Sequence, residues 1–354
     1  EALRTCRAIA AEGGALPDLI LATDPDSDRL GVMVLHEEAY RQLSGNQVGE
    51  LLLDYVCRVH SAGIGDRALD GRDVMVKSIV SSPLTEDIAE AYGVQVKNVF
   101  TGFKNIAAEM QKLKRPESEK RFLFGFEESL GYLYGDYTRD KDGILTAQMV
   151  CLAAAQLKAE KRTLVDRLEE LYQCYGYLAS RTFSVYYHSE AERQTIQRQM
   201  QRLFADGLKR DGFAVKKELC YRNSPLYCAD LDDDARIIVR PSGTELKLKT
   251  YIFSRGQNAQ EAEATADDYC MRMRKKMERG GDFMSKVITG IDQSGSFRVY
   301  LAVTTDLVEE ARKIHNTTPL ATAGLGRVLT GAGIMGLQLK NESDKLTVLF
   351  KGDG

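Results

Sequence analysis

The sequence predicts an α/β fold: mixed-sheet α/β domains, then a compact α+β domain, then a β-rich terminal segment. Three observations carry this. Short apolar strand patterns alternate with helically spaced segments from Leu19 to about Lys161. Near Gly176 the rhythm changes to alternating strands with helices expected on one face of an antiparallel sheet. Glu278-Arg279-Gly280-Gly281-Asp282-Phe283 then reads as a polar, glycine-bearing linker before a Thr- and Gly-rich stretch opening at Met284. A chain of 354 residues can hold two or three domains with cores of their own.

Taken in order, Leu19-Ile20-Leu21-Ala22 and Leu30 to Leu35 read as strands flanking one acidic loop. Val48 to His60 has helical apolar spacing, Val74 to Val80 is β-branched, and Leu84 to Tyr92 is helical. Val94 to Phe100 is a strand, Phe103 to Leu113 a helix, Arg121 to Phe124 a strand and Gly143 to Lys161 a long helix. In the second part, Arg181 to Tyr187, Phe213 to Leu219, Ala235 to Arg240 and Leu246 to Phe253 read as strands. Glu190 to Arg210 and Gln260 to Met277 read as helices.

Composition narrows the classes. Hydrophobic content of 44% and charge of 28% are those of a globular protein. A net charge of −3 gives no reason to expect nucleic acid or a membrane surface as partner, and no apolar run has the length of a membrane span. Cys6, Cys57, Cys151, Cys174, Cys220, Cys228 and Cys270 form no CxxC pair, which points to reduced thiols in a cytoplasmic protein, most of them as small core residues. Glu1-Ala2-Leu3-Arg4 has no initiating Met and no signal pattern and reads as mid-helix, so the chain is expected to be a fragment.

Three loops carry the chemistry. In Asp24-Pro25-Asp26-Ser27-Asp28-Arg29 the carboxylates of Asp24, Asp26 and Asp28 stand two residues apart, and in an extended segment they point to one side. Converging carboxylates need a positive charge between them, and a hard divalent cation, Mg²⁺ above all, answers that need. An EF-hand fails, because Arg29 and Leu35 stand where its Gly and Glu belong. Arg29 can orient the carboxylates or reach a phosphate. In Gly125-Phe126-Glu127-Glu128-Ser129 the acidic pair follows a strand end, where open α/β sheets place ligands, and a carboxylate accepts two sugar hydroxyls. In Arg240-Pro241-Ser242-Gly243-Thr244-Glu245 a guanidinium fork, two hydroxyls and a glycine that frees backbone N–H groups suit a phosphate. Lys247 and Lys249 alternate with leucines and so leave one face of the next strand. The alternatives are an acidic turn, a solvated EE pair and a β-turn with a surface ion pair. Lys104 opens a helix where the dipole disfavours a cation, and Asp142, in the charge-dense Arg139-Asp140-Lys141-Asp142-Gly143, reads as an N-cap. The four histidines form no local catalytic motif.

In order and wording these loops resemble the α-D-phosphohexomutase family, the phosphoglucomutases and phosphomannomutases, over about residues 1–280. Gly45-Asn46-Gln47, Thr101-Gly102-Phe103-Lys104, GFEESLGY and RPSGTELKLK place the resemblance nearest the bacterial phosphoglucomutase branch. The resemblance implies that residues 1–42 are the remainder of the family's domain two, 43–175 its domain three and 176–280 its domain four. It implies Mg²⁺ on Asp24, Asp26 and Asp28, sugar recognition by Glu127 and Ser129, and phosphate binding by Arg240, Ser242, Gly243 and Thr244. Arg29 and Lys104 fall where the family places active-site cations. The implied reaction moves a phosphoryl group between the 1- and 6-positions of a hexose phosphate through a hexose bisphosphate. The family's donor, a phosphoserine in a Thr-Ala-Ser-His-Asn-Pro type loop, has no counterpart in this sequence. The chain is therefore expected to bind Mg²⁺ weakly and not to turn over alone.

From Met284 to Val348 the sequence resembles instead the N-terminus of the heat-shock protein 33 family, redox-regulated chaperones. Arg298, Thr304-Thr305, Ala321-Thr322-Ala323 and Leu325-Gly326-Arg327 carry this. That family's four-cysteine zinc switch has no counterpart in residues 284–354, which contain no cysteine. Met284 stands like a start codon, so the expectation is two joined neighbouring genes. Besides a mutase fragment, two other readings stand: a non-catalytic sugar-phosphate-binding module, and a holdase contributed by the tail, which would lack partners for its edge strands.

Overall fold

The computed structural model describes residues 2–186, 190–209, 212–221, 225–242, 245–279, 286–291, 298–304, 307–308, 311–312, 315, 317–336 and 346–348. The chain divides into two compact units, Glu1–Met273 and Arg274–Gly354.

The first unit begins with α1 (Ala2–Ala11) and an antiparallel sheet of β1 (Leu19–Thr23), β2 (Leu30–His36) and β3 (Ala39–Leu43), in that order. β3 is not anticipated from the sequence, because its turn, Glu37-Glu38, is unlike the Asn-Gly and Asp-Gly pairs that announce hairpins. Both glutamates sit at positive φ, +48° and +64°, as a two-residue hairpin of this hand requires. Each pays the steric penalty of a left-handed L-residue. Glu38→Gly is therefore expected to raise stability by about 1 kcal/mol; chemical denaturation checks this, and an unchanged or lower midpoint refutes it.

The second layer system follows. α2 (Gly45–Ser61) starts at a capping box, the Ser44 side chain accepting from the Gln47 N–H and Gln47 accepting from Ser44 N–H. β4 (Asp73–Ser78), α3 (Leu84–Ala91), β5 (Gln95–Val99), α4 (Phe103–Leu113), β6 (Arg121–Glu127) and β7 (Gly131–Tyr134) form a sheet of order β5-β4-β6-β7, parallel except at β6–β7. α5 (Gly143–Ala159) and α6 (Leu164–Tyr175) complete it. α6 escapes the sequence reading, although Thr163 and Asp166 form a second capping box at its start. Both faces of this sheet are covered. Met75, Leu123, Phe124 and Phe126 pack with α2, α3, α5 and α6 residues. Val74, Val76 and Phe122 pack with Phe103, Ile106, Met110 and Leu113 of α4. Burial on both faces explains why these strands read as continuous apolar runs.

From Tyr177 the chain builds a five-stranded antiparallel sheet, order β8-β12-β11-β10-β9, from β8 (Tyr177–Tyr186), β9 (Val215–Tyr221), β10 (Leu226–Leu231), β11 (Arg236–Pro241) and β12 (Lys247–Gly256). α7 (Glu190–Asp206) and α8 (Ala259–Arg279) accompany it, Ala262 and Ala266 of α8 meeting Ala179 of β8. Leu226, Cys228, Ile238, Tyr251 and Phe253 meet Ile79 and Val80, which follow β4. Here the expected α/β-then-α+β order is realised.

In the second unit the described residues form a hairpin of β13 (Lys286–Ile291) and β14 (Arg298–Val303) and a helix, α9 (Pro319–Gly336). Thr304 Oγ1 lies 2.5 Å from Thr330 Oγ1 of α9. No helix among the described residues is long and apolar enough to cross a membrane. Of the cysteines only Cys6, Cys57 and Cys228 are buried, while Cys151, Cys174 and Cys220 are exposed. The expectation that most are core residues fails: Cys151 and Cys174 lie on outward helix faces and Cys220 on the edge strand β9. His60 is a satisfied core histidine, bonded to the Arg67 carbonyl at 2.7 Å and the Tyr134 hydroxyl at 2.8 Å.

Candidate active site

The acidic loop joins β1 to β2. It is not extended: the Ser27 N–H donates to the Asp24 carbonyl at 3.0 Å and Ser27 adopts φ +59°. The three carboxylates converge because the backbone turns, and not through strand alternation. One ligand oxygen each of Asp24, Asp26 and Asp28 lies within 4.8 Å of the others. The Arg29 N–H donates to Asp24 Oδ1 at 3.1 Å, and its guanidinium lies 3.8 Å from both Asp24 and Asp28. Desolvation pushes the Asp24 carboxyl up, but the Arg29 N–H, the Asp28 carboxyl and the Arg29 charge outweigh it and hold Asp24 below the ordinary range. Asp28 Oδ1 is buried without a hydrogen-bond partner. Hard, converging oxygens with one left unsatisfied fit a small divalent cation.

α5 seats this loop. Asp142 caps the helix, Oδ1 accepting from the Ile144 and Leu145 N–H groups at 2.8 and 3.0 Å, as expected. The Gly143 N–H donates to the Ser27 carbonyl at 3.0 Å. A Cβ on Gly143 would lie 2.7 Å from that oxygen and 2.8 Å from the Arg29 carbonyl, so only glycine admits this approach.

The second loop is brought alongside. Glu127 ends β6 and is buried, Ser129 is exposed, and Leu130, at φ +68°, accepts from the Leu30 N–H at 3.1 Å. Lys141 ties the two loops. Its Nζ lies 2.6 Å from Asp28 Oδ2, and a Cβ on Gly131 would meet both Lys141 Cδ, at 2.5 Å, and Glu127 Cγ, at 3.2 Å. Burial would lower the Lys141 ammonium, but the Asp28 hydrogen bond and the charges of Asp140, Asp28 and Glu127 raise it. The sequence reading met this residue only as part of a charge-dense stretch. Its neighbour Asp142, an N-cap, was the one signal that the stretch is held rigidly.

Glu128 turns toward the third loop. Its N–H donates to Ser81 Oγ at 3.1 Å, and Ser81 Oγ is 3.3 Å from Glu128 Oε2. Desolvation raises its carboxyl and Glu127 adds to the rise, against the opposing charges of Arg240 and Lys249. Burial raises the Tyr251 hydroxyl to about 12, and the Glu128 charge adds to the rise. Arg240, on β11, donates to the Tyr251 hydroxyl at 3.1 Å and the Pro241 carbonyl at 3.4 Å, while its Nε is buried without a partner. The Ser242 N–H donates to the Lys247 carbonyl at 2.8 Å. Gly243 and Thr244 lie outside the described residues. The two lysines do not share a role. Lys247 is buried, paired with Glu245 and 4.9 Å from the Tyr186 ring, whereas Lys249 pairs with Arg240 in the β11–β12 register. Lys104 is exposed in the first turn of α4, and no hydrogen bond or ion pair joins it to the other site residues among the described residues.

Residues 44–175 match the family described as phosphoglucomutase/phosphomannomutase, alpha/beta/alpha domain III, and residues 285–354 match Hsp33 protein. A phosphoglucomutase of Staphylococcus epidermidis is 34% identical over 254 residues, covering 66% of this chain and 45% of the relative. One from Staphylococcus aureus strain USA300 is 34% identical, with 66% and 44% covered. The chain thus spans less than half the length of these curated relatives. Among solved structures, the Paramecium phosphoglucomutase pp63/parafusin in its open form aligns with a TM-score of 0.57 at 17% identity, covering 75% of this chain and 46% of that one. A phosphoglucomutase/phosphomannomutase family protein from Burkholderia thailandensis aligns at 0.53 and 14%, covering 80% and 52%. Residues 44–175 thus belong to the phosphoglucomutase/phosphomannomutase domain III family, within a stretch similar to phosphoglucomutases.

Proposed function

We propose that this chain is the substrate-receiving part of a phosphohexomutase that interconverts hexose 1- and 6-phosphates through a hexose bisphosphate. One observation carries the reading: Lys141 Nζ lies 2.6 Å from Asp28 Oδ2 with the Glu127 charge also raising its ammonium, and the Arg240 and Lys249 charges act on Glu128, which supports the acidic, sugar-type and phosphate-type loops serving one ligand. A sugar phosphate needs those three recognitions together. Asp24, Asp26 and Asp28 would hold Mg²⁺, which supplies neutralisation of developing phosphate charge. Glu127 and Ser129 accept and donate to sugar hydroxyls. Arg240, whose Nε lacks a partner, and Lys249 engage the phosphate that is not being transferred, with Ser242, Gly243 and Thr244 contributing donors. Arg29 steadies the carboxylates, and Lys141 and Lys104 supply further positive charge for the transferring group. The phosphoryl-donor serine is supplied by another part of the enzyme.

The test is calorimetric titration of the chain with glucose 1-phosphate and glucose 6-phosphate, with and without Mg²⁺. Saturable binding is expected without turnover in a coupled assay. Arg240→Ala is expected to weaken binding about 10- to 100-fold, as loss of a charge-assisted contact does. Binding indifferent to Arg240, or turnover by the chain alone, would sink the reading. A β-rich holdase predicts instead suppression of client aggregation with no response to sugar phosphate.

A further inference from the structure

A cavity of about 280 Å³ opens where α2, α6, β8 and α8 meet. It is separate from the receiving loops. Ser180 in its wall pairs with Phe253, four residues along β8 from the Ser184–Lys249 pair beside Arg240, roughly 13 Å away at the rise of a strand. Its lining joins two chemistries. Leu178, Ala179, Ala259 and Ala262 are apolar, and the Tyr172 and Tyr177 rings stand with centroids 6.0 Å apart. Three carboxylates complete it, Glu50 at the buried end and Glu169 and Glu263 at the exposed rim. The cation of the lining is Arg181, and Asp267 already engages its guanidinium at 2.7 and 3.2 Å.

Glu50 is 1% exposed and forms no ion pair among the described residues, because Lys77 is taken by Glu86 and Arg255 by Asp87. Its oxygens meet the Ser82 hydroxyl at 2.5 Å and the Tyr172 hydroxyl at 3.4 Å. A carboxylate accepts about four hydrogen bonds, so this one keeps capacity toward the cavity. A buried carboxylate without a counter-charge is costly unless a cation reaches it or it holds a proton. Here the space beside it is bounded by tyrosine rings, which attract cations, and by a negative rim.

We propose that this cavity binds a small aliphatic ammonium ion, its N–H groups donating to Glu50 and its hydrocarbon body lying among the tyrosines and alanines. The rim carboxylates, Glu169 and Glu263, favour a second ammonium at the far end, so a short diamine is the preferred ligand. The site stands apart from the mutase reading and does not depend on it.

The full chain is titrated calorimetrically with 1,4-diaminobutane, with butan-1-ol as the uncharged control. Saturable binding of the diamine and none of the alcohol is expected. Glu50→Gln removes the charge while keeping an acceptor for Ser82, and should weaken binding about 10- to 100-fold. Glu263→Gln, on the surface, should weaken it about two- to fivefold and keeps the proposal testable should the buried variant not fold. Burial holds the Glu50 carboxyl up at about 7, against Ser82, Tyr172, Arg255 and Lys77, so entry of the cation expels its proton. Affinity should then rise about tenfold from pH 6 to pH 8 in the parent and stay flat in Glu50→Gln. Absence of saturable binding, or equal binding by the parent and both variants, overturns the proposal. So does displacement of the diamine by Mg²⁺, which would put it on Asp24, Asp26 and Asp28 instead.

Discussion

Glu86→Ala is expected to destabilise the first unit by about 3–5 kcal/mol, the size of leaving a buried charge without its partner. Lys77, on β4, is fully buried, its Nζ 3.0 Å from Glu86 Oε1 and 3.2 Å from the Ser81 carbonyl. Glu86 also receives Arg236 at 3.2 Å and Asn98 at 3.2 Å. Without Glu86 the ammonium keeps one carbonyl and no counter-charge. Lys77→Met combined with Glu86→Gln should recover most of the loss, because the charges leave together. The same cluster bears on acid stability. Burial pushes Glu86 up, but Lys77 and Arg236 pull it down to about 2. Its contribution is then present above the unfolded carboxyl range and is lost as the pH falls toward 2. Urea denaturation of the parent and the two variants decides this. A single variant as stable as the double would refute the account.

Glu50→Gln is expected to act in the opposite direction. Glu50, on α2, is buried, with Ser82 Oγ donating to Oε1 at 2.5 Å and the Tyr172 hydroxyl 3.4 Å from Oε2. Burial pushes its carboxyl from 4.5 up to about 7, against the lowering effect of Ser82, Tyr172, Arg255 and Lys77. The folded protein therefore holds a proton that the unfolded chain releases near 4.5. Stability from this group is full below that pH and is lost as the pH rises toward 7, about 3 kcal/mol in all. Glutamine keeps an acceptor for Ser82 and has no proton to lose. The variant should match the parent near pH 4.5, exceed it at pH 8, and show a flatter stability profile between. Parallel profiles for the two proteins would rule the explanation out.

Much of the candidate site was legible because its chemistry is local. Asp24, Asp26 and Asp28 converge within a single turn, Glu127 follows directly from a strand, and Arg240 opens a short loop, so residue type and spacing were enough to suspect each. The helix Phe103–Leu113 was legible to the residue because its apolar positions are amphipathic. The hairpin at Glu37-Glu38 was not, since its backbone conformation runs against local preference and is imposed by pairing of β2 with β3. Lys141 and Glu128 were under-read for another reason. Their partners, Asp28 at 113 residues' remove and Ser81 at 47, are set by packing and leave no mark on their own neighbourhoods.

What the sequence by itself determined is therefore the sequence-local part: most of the strand and helix order, the break near Gly176, the separate character of the Hsp33-like segment, and three loops dense in ligand-type residues. Only the tertiary structure decided which parts of those loops lie beside one another. Closeness there depends on contacts no spacing encodes, such as Gly143 against the Ser27 carbonyl, and Gly45, whose absent Cβ leaves room 2.0 Å from the Glu128 carbonyl. It also decided that α5, uncharged from Gly143 to Leu157, keeps one face exposed. Periodicity reports how apolar a helix is, while burial depends on what the rest of the fold places against it.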